Sequence, residues 1–208
     1  GKHSDFIGYE HLESQSKVIQ YAEIGDDYLI VLDKTPFYAE SGGQVADKGT
    51  IKAEGIDLVV VDVQKNNDMI IHICNGKVES WENIDNVICL ADEDYRNPIK
   101  RNHTATHLLH AALKTVLGNQ IQQAGSLVHP DYLRFDLTYF EKITADQIRE
   151  IENLVNSQIL INNNLEVSIK SYDEAMRYGV VALFGEKYGD QVRVVSAGDF
   201  TSELCGGT

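Results

Sequence analysis

The stretch Arg101-Asn102-His103-Thr104-Ala105-Thr106-His107-Leu108-Leu109-His110 lies in a long helical pattern that divides the chain and constrains both sides of it. Asp92-Glu93-Asp94 place acids where a helix N-terminus favours negative charge, and Pro98 is tolerated in a first turn. Leu109, Ala112, Leu113 and Val116 recur on one side, and Gly118-Asn119 supplies a stop. The spacing predicts a helix to about Leu117, with Lys100, His103, His107, His110 or Ala111, and Lys114 on a more polar stripe. On a helix His103 and His107 share a face about 6 Å apart along the axis, so two imidazoles can reach one ion. Cys205, in Glu203-Leu204-Cys205-Gly206-Gly207-Thr208, is a third candidate donor, and Cys with neutral His suits Zn²⁺. Each signal alone has a plainer account. Histidines four apart also occur satisfied in cores, and a lone Cys also serves as a small buried hydrophobe. Position 104 is Thr, so the His-Glu-x-x-His protease pattern is absent.

Before this helix, residues 1–92 read as β-rich. Ser16 to Ile24 and Tyr28 to Asp33 flank Gly25-Asp26-Asp27 as a hairpin. Ile56 to Gln64 and Met69 to Cys74 flank Asn66-Asn67-Asp68 as another, and Val87 to Leu90 is a last strand. Short strands at this spacing predict a small barrel or sandwich. Thr35-Pro36-Phe37-Tyr38-Ala39-Glu40-Ser41-Gly42-Gly43-Gln44 interrupts the alternation. Gly42 and Gly43 mark either a long turn or a loop where a ligand or a neighbouring domain approaches the backbone; the spacing is not that of a P-loop.

After the helix, residues 93–208 read as an α+β domain, with helices on one face of a largely antiparallel sheet. Gln120 to Val128 and Leu133 to Leu137 are strands. Thr144-Ala145-Asp146-Gln147 is a capping box opening a helix to about Ile161, stopped by Asn162-Asn163-Asn164. Leu165 to Lys170 is a strand, Ser171-Tyr172-Asp173-Glu174 caps a short helix ending at Gly179, and Gln191 to Ser196 is a strand leading to Cys205. Gln122-Gln123-Ala124-Gly125-Ser126 is either an exposed edge or a polar step in a pocket wall.

Charge limits the partners. With 18 Lys and Arg against 32 acids and a net charge of −14, the chain lacks the cations that grip phosphates. A nucleic-acid partner must be held by a local basic patch or by another part of a larger protein. Cys74, Cys89 and Cys205 form no disulfide framework, which points to a reducing, cytosolic setting. No apolar run reaches transmembrane length and no signal peptide opens the chain, so no membrane partner is expected. It begins at Gly1 and stops after Cys-Gly-Gly-Thr, and is expected to be a piece of something longer.

Taken together, Asn102 through His110, Gln123-Ala124-Gly125-Ser126, Leu133-Arg134-Phe135-Asp136 and Gly198-Asp199-Phe200-Thr201-Ser202-Glu203-Leu204-Cys205-Gly206-Gly207-Thr208 resemble the editing domain of alanyl-tRNA synthetases. Thr35 to Gln44 resembles the glycine-rich motif of the β-barrel before that domain, and Phe6-Ile7-Gly8-Tyr9-Glu10 its approach. Free-standing AlaX-type editing proteins share the core. The resemblance implies hydrolysis of the ester joining serine or glycine to tRNA(Ala), with the other synthetase domains as partners. A site sized for alanine cannot exclude glycine by sterics and rejects serine only modestly, so a second sieve is needed. The resemblance places zinc on His103, His107 and Cys205, with a fourth ligand, a histidine, directly after Thr208. It places Thr106, Gln123 and Cys205 at the reacting site, and Thr106, Gln123, Gly42 and Gly43 against substrate. A non-catalytic tRNA-docking or dimerisation module with structural zinc is the competing class. The tail bearing Cys205 is expected to fray and to hold zinc weakly.

Overall fold

The computed structural model describes residues 3–82, 84–182 and 189–208. The fold is mixed α+β, as expected from the strand-rich first part and the later helices. It forms two compact units, Gly1–Lys100 with His129–Asp131 and Thr208, and Arg101–Val128 with Tyr132–Gly207.

The first unit holds β1 (Asp5–Phe6), β2 (Glu13–Ser16), β3 (Val18–Ile24), β4 (Asp27–Leu32), β5 (Lys34–Thr35), β6 (Gly49–Ala53), β7 (Ile56–Asn66), β8 (Met69–Val78) and β9 (Val87–Ala91). Seven of them form one curled antiparallel sheet in the order β2-β9-β6-β7-β8-β4-β3. Its two edge strands, β2 and β3, are separated in the chain by Lys17 alone, so the sheet must curl to bring them together. Both expected hairpins form: β3 pairs with β4, and β7 with β8 around Asn67, which adopts a positive φ of 53°. The short β6 escapes sequence pattern, yet it joins β7 to β9. On β7 the inward residues are Ile56, Leu58 and Val60, then Val63. A bulge between Val60 and Asp62 switches the parity and keeps valine facing the core. Ile30, Leu32, Phe37, Ile51 and Cys74 complete that core.

The glycine-rich segment packs into this unit from both ends. Phe37 is fully buried, and Ser41 and Gln44 exchange backbone hydrogen bonds of 3.0 and 3.2 Å around Gly42 and Gly43. Both glycines have positive φ, 58° and 81°, as a tight two-residue turn of type I′ requires. The Asp47 carboxylate accepts from the Tyr38 N–H (2.8 Å) and pairs with Arg96. Arg96 also donates to the carbonyls of Gly8 (2.7 Å) and Pro36 (2.9 Å). Arg96 and Asp47 are 3% and 1% exposed, so this is a buried ion pair with its remaining donors spent on backbone.

Helix α1 (Glu93–Leu117) begins in the first unit and continues into the second. Asp92 Oδ1 accepts from the Tyr95 N–H (3.1 Å) at its start, and Gly118 at φ 100° ends it. The second unit adds β10 (Gln122–Val128), β11 (Leu133–Thr138), α2 (Ala145–Ile161), β12 (Leu165–Ser171), α3 (Tyr172–Arg177), β13 (Gln191–Ala197) and β14 (Thr201–Leu204). The strands are antiparallel, divided into a β10-β11 ribbon and a three-stranded β12-β13-β14 sheet. The Thr144 capping box is complete, and Asn162 closes α2 in the left-handed conformation. Ala112, Leu113 and Leu117 of α1 pack with Ile121 and Ile151, while Val192, Val194 and Leu204 pack with Ala175 under α3. Among the described residues no helix is long and apolar enough to cross a membrane.

His72, on β8, is fully buried beneath the start of the glycine-rich segment. Its Nδ1 lies 2.9 Å from the Ile30 carbonyl, which can only accept, so Nδ1 carries the proton. Its Nε2 then accepts from Thr35 Oγ1 (2.7 Å), which in turn accepts from the Phe37 N–H (3.1 Å). Burial pushes the imidazole down to about 4, and the Ile30 carbonyl offsets this only in part. Below pH 6.5 the unfolded chain takes up a proton that the folded chain refuses. Stability is therefore full above pH 6.5 and falls as pH drops toward 4, by about 3 kcal/mol in all. Urea unfolding at pH 7, 6 and 5 is expected to show this slope in the unsubstituted chain and a flatter one in His72→Gln.

Candidate metal centre

Three of the predicted donors meet within the second unit. The ligand atoms of His103, His107 and Cys205 all lie within 4.8 Å of one another. The two imidazoles stack with centroids 5.0 Å apart and planes inclined by 28°, as an i, i+4 pair on α1 allows. Cys205 Sγ is 3.2 Å from His103 Nε2 and accepts from the Gly207 N–H at 3.3 Å. His103 and His110 are buried, 8% and 4% exposed, and His107 is half-buried.

Two residues that pattern reading left without a role complete the cluster. Glu203 on β14 accepts from His107 Nδ1 (2.6 Å) and from His110 Nδ1 (3.0 Å). Arg193 on β13 donates to the carbonyls of Cys205 (2.9 Å) and Gly207 (3.0 Å), and the Cys205 N–H donates to the Arg193 carbonyl (3.1 Å). The tail is thus tied down through Gly207 by the Arg193 guanidinium and by the backbone bond from Cys205 to Arg193. Weak sequence signals exist for Glu203 and for its second partner, His110. Glu203 precedes Cys205 by two, the period of a strand face, and His110 follows His107 by three, the period of a helix face. Nothing local marks Arg193.

The donor set fits a soft-to-borderline divalent ion. His107 Nε2 is buried and has no hydrogen-bond partner, an orphan that a metal bond would satisfy. Its other nitrogen is bonded to a carboxylate, the arrangement typical of a metal-bound imidazole. Burial alone would raise the Cys205 thiol, but the contacts of His103 and His107 outweigh it and bring it down to about 5. Burial likewise opposes the charged forms of His107 and Glu203. Cys205 and Glu203 nevertheless raise His107 to about 10, and His107 and His110 lower Glu203 to about 2. A thiolate beside imidazoles is the species that would hold Zn²⁺, with release of the proton shared within the cluster.

The remaining predicted residues fall at different places. Thr106 is buried on α1, and its hydroxyl donates to the Asn102 carbonyl (2.8 Å). Gln123 is half-buried on β10, opposite Leu137 and beside a bulge between Gln123 and Gly125. Gly42 and Gly43 form the tight turn of the first unit. A cavity of about 360 Å³ in the second unit is lined by Lys114, Tyr178, Asp199 and Ser202, and shares only Glu203 with the cluster.

The family model described as tRNA synthetases class II (A) matches residues 1–95. Similarity to individual proteins extends over nearly the whole chain. It is 47% identical over 215 residues to the alanine–tRNA ligase of Acetivibrio thermocellus, covering 99% of this chain and 24% of that protein. It is 48% identical over 214 residues to that of Thermoanaerobacter pseudethanolicus, covering 98% and 24%. With Halorhodospira halophila alanine–tRNA ligase the identity is 47% over 216 residues, covering 99% and 25%. The chain belongs, as a segment, to the alanine–tRNA ligase family, and spans about a quarter of the length of these curated relatives.

The cluster lies beside a helix whose apolar side is anchored independently by Leu113, Leu117 and Ile151. Stripping metal with a chelator is thus expected to leave the far-UV circular dichroism unchanged, unlike a zinc finger. Cys205→Ser is expected to weaken Zn²⁺ binding by at least tenfold in chelator competition while leaving the same spectrum.

Proposed function

We propose that this chain is the post-transfer editing part of an alanine–tRNA ligase, hydrolysing the ester of tRNA(Ala) mischarged with serine or glycine. In this reading residues 1–92 are the glycine-rich-motif barrel and residues 93–208 the editing domain. The observation that carries it is the partly buried His103, His107 and Cys205 cluster with its carboxylate-bound His107, in a segment of this family. His103, His107 and Cys205 would hold Zn²⁺, which when bound supplies a Lewis acid for the ester carbonyl or for a water.

Residue chemistry supports discrimination of the amino acid. Thr106 spends its proton on the Asn102 carbonyl, so toward a neighbour it offers lone pairs. A serine hydroxyl can donate to them and an alanine methyl cannot. Gln123 brings an amide able to donate and accept, and Gly42 and Gly43 expose backbone without a Cβ barrier. With a net charge of −14, the grip on tRNA falls to other domains of the ligase. Work on aminoacyl-tRNA also implies the cytoplasm.

The test is deacylation of Ser-tRNA(Ala), Gly-tRNA(Ala) and Ala-tRNA(Ala) by the full-length ligase. The first two are expected to be hydrolysed and the third spared, and Cys205→Ala is expected to let mischarged tRNA accumulate. Equal deacylation by both proteins removes Cys205 from the active site. In Thr106→Val the shape remains and the acceptor goes. Loss of one buried hydrogen bond, about 1–3 kcal/mol, is expected to slow serine deacylation by about one to two decades. An unchanged ratio of serine to alanine rates in a folded variant excludes Thr106 from the pocket.

A further inference from the structure

Glu203 is a buried carboxylate, 4% exposed, and both of its oxygens are taken. Oε2 accepts from His107 Nδ1 at 2.6 Å; Oε1 accepts from His110 Nδ1 at 3.0 Å and from Thr201 Oγ1 at 3.3 Å. A buried carboxylate is tolerated only when its lone pairs are satisfied in this way. His110 follows His107 by three residues on the same helix and by spacing alone would be a further ligand candidate. Its Nδ1 is instead committed to Glu203, and its ring lies against Phe135 with centroids 5.2 Å apart. His110 is not one of the three residues whose donor atoms group together.

We infer that Glu203 and His110 are positioning residues for the metal centre: Glu203 fixes His107 so that Nε2 is its ligand atom, and His110 fixes Glu203. This rests on the metal reading of His103, His107 and Cys205. The relay runs from Phe135, which packs against the His110 ring, through the His110 N–H to Glu203, and through Glu203 to His107. With Nδ1 held by Glu203, the nitrogen left to face the cluster is the buried, partnerless Nε2. The carboxylate also keeps electron density on the ring, strengthening it as a ligand. Glu203 stands two residues before Cys205, so the strand that delivers the sulfur delivers the carboxylate that aims the second imidazole. Docking of β14 thus sets two of the three donors at once.

The test uses the whole chain, unsubstituted and as Glu203→Gln, His110→Leu and His110→Asn. Zn²⁺ affinity is measured by chelator competition at one pH, together with the visible spectrum of the Co²⁺-loaded protein and thermal unfolding of the metal-free protein. Glu203→Gln is expected to weaken Zn²⁺ by about 10–100-fold and to shift the Co²⁺ bands. His110→Leu is expected to weaken it less but measurably. His110→Asn, whose amide N–H stands where Nδ1–H stood, is expected to recover most of the loss. Residues that merely support the fold would lower the unfolding temperature and leave the Co²⁺ spectrum unmoved. Tight binding by the unsubstituted chain with affinities and spectra unchanged in Glu203→Gln and His110→Leu overturns the proposal alone. Loss in His110→Leu without recovery in His110→Asn overturns the part given to His110. If Glu203→Gln does not fold, the His110 pair decides by the same criteria. No Zn²⁺ bound by the unsubstituted chain overturns the metal reading and this inference with it.

Discussion

The buried pair of Arg96 and Asp47 is the interaction on which the first unit is assembled. One guanidinium in the opening turns of α1 collects the Asp47 carboxylate and the carbonyls of Gly8 and Pro36. Three separated segments, the turn after β1, the glycine-rich segment with the residues that follow it, and the root of the helix, are thereby held by one planar fork. Desolvating both charges is expensive, and the cost is met only because every guanidinium nitrogen finds an acceptor. Removing either partner leaves a lone charge in the interior, at about 3–5 kcal/mol. Arginine is suited to this place because its several fixed N–H directions match acceptors that lie in different directions; lysine offers a single point charge.

A parallel logic operates in the second unit at a different chemical centre. Glu203 is a carboxylate shared by two imidazoles, and Arg193 is a guanidinium shared by two tail carbonyls. One orients the helix side of the cluster and the other orients the tail side. Both come from the β13-β14 hairpin, whose Leu204 is anchored in the core under α3. The polar centre therefore inherits its geometry from an apolar neighbour, where packing tolerates little displacement.

Local features were legible in the chain. Gly118, Asn162 and the Thr144 capping box end or begin helices through contacts within four residues, and such contacts are written in adjacent letters. The histidines of α1 were legible for the same reason. Other elements depend on distant partners. Strand β6 is defined by pairing with β7 and β9, β14 by pairing with β13, and the β7 bulge by the strand opposite it. Glu203 lies 96 residues from His107 and 93 from His110, so its partners could not be read from neighbours, and its spacing from Cys205 is only a weak hint. The resemblance of the tail to a known motif drew attention to Cys205 and left the residue two before it without a role. Polarity by composition left the burial of His103 and His110 open, because exposure depends on what packs over the face.

The separation between the donors has a kinetic consequence. His103 and Cys205 are 102 positions apart, while α1 can form from contacts within its own length. During synthesis the helix with both imidazoles emerges long before the sulfur exists. Closing so long a loop is slow relative to helix growth, and its entropic cost rises only logarithmically with length. The centre is thus a late event in folding. It registers that β13 and β14 have docked, so the cluster stays incomplete in a nascent chain, helices in place, until β14 has emerged and paired.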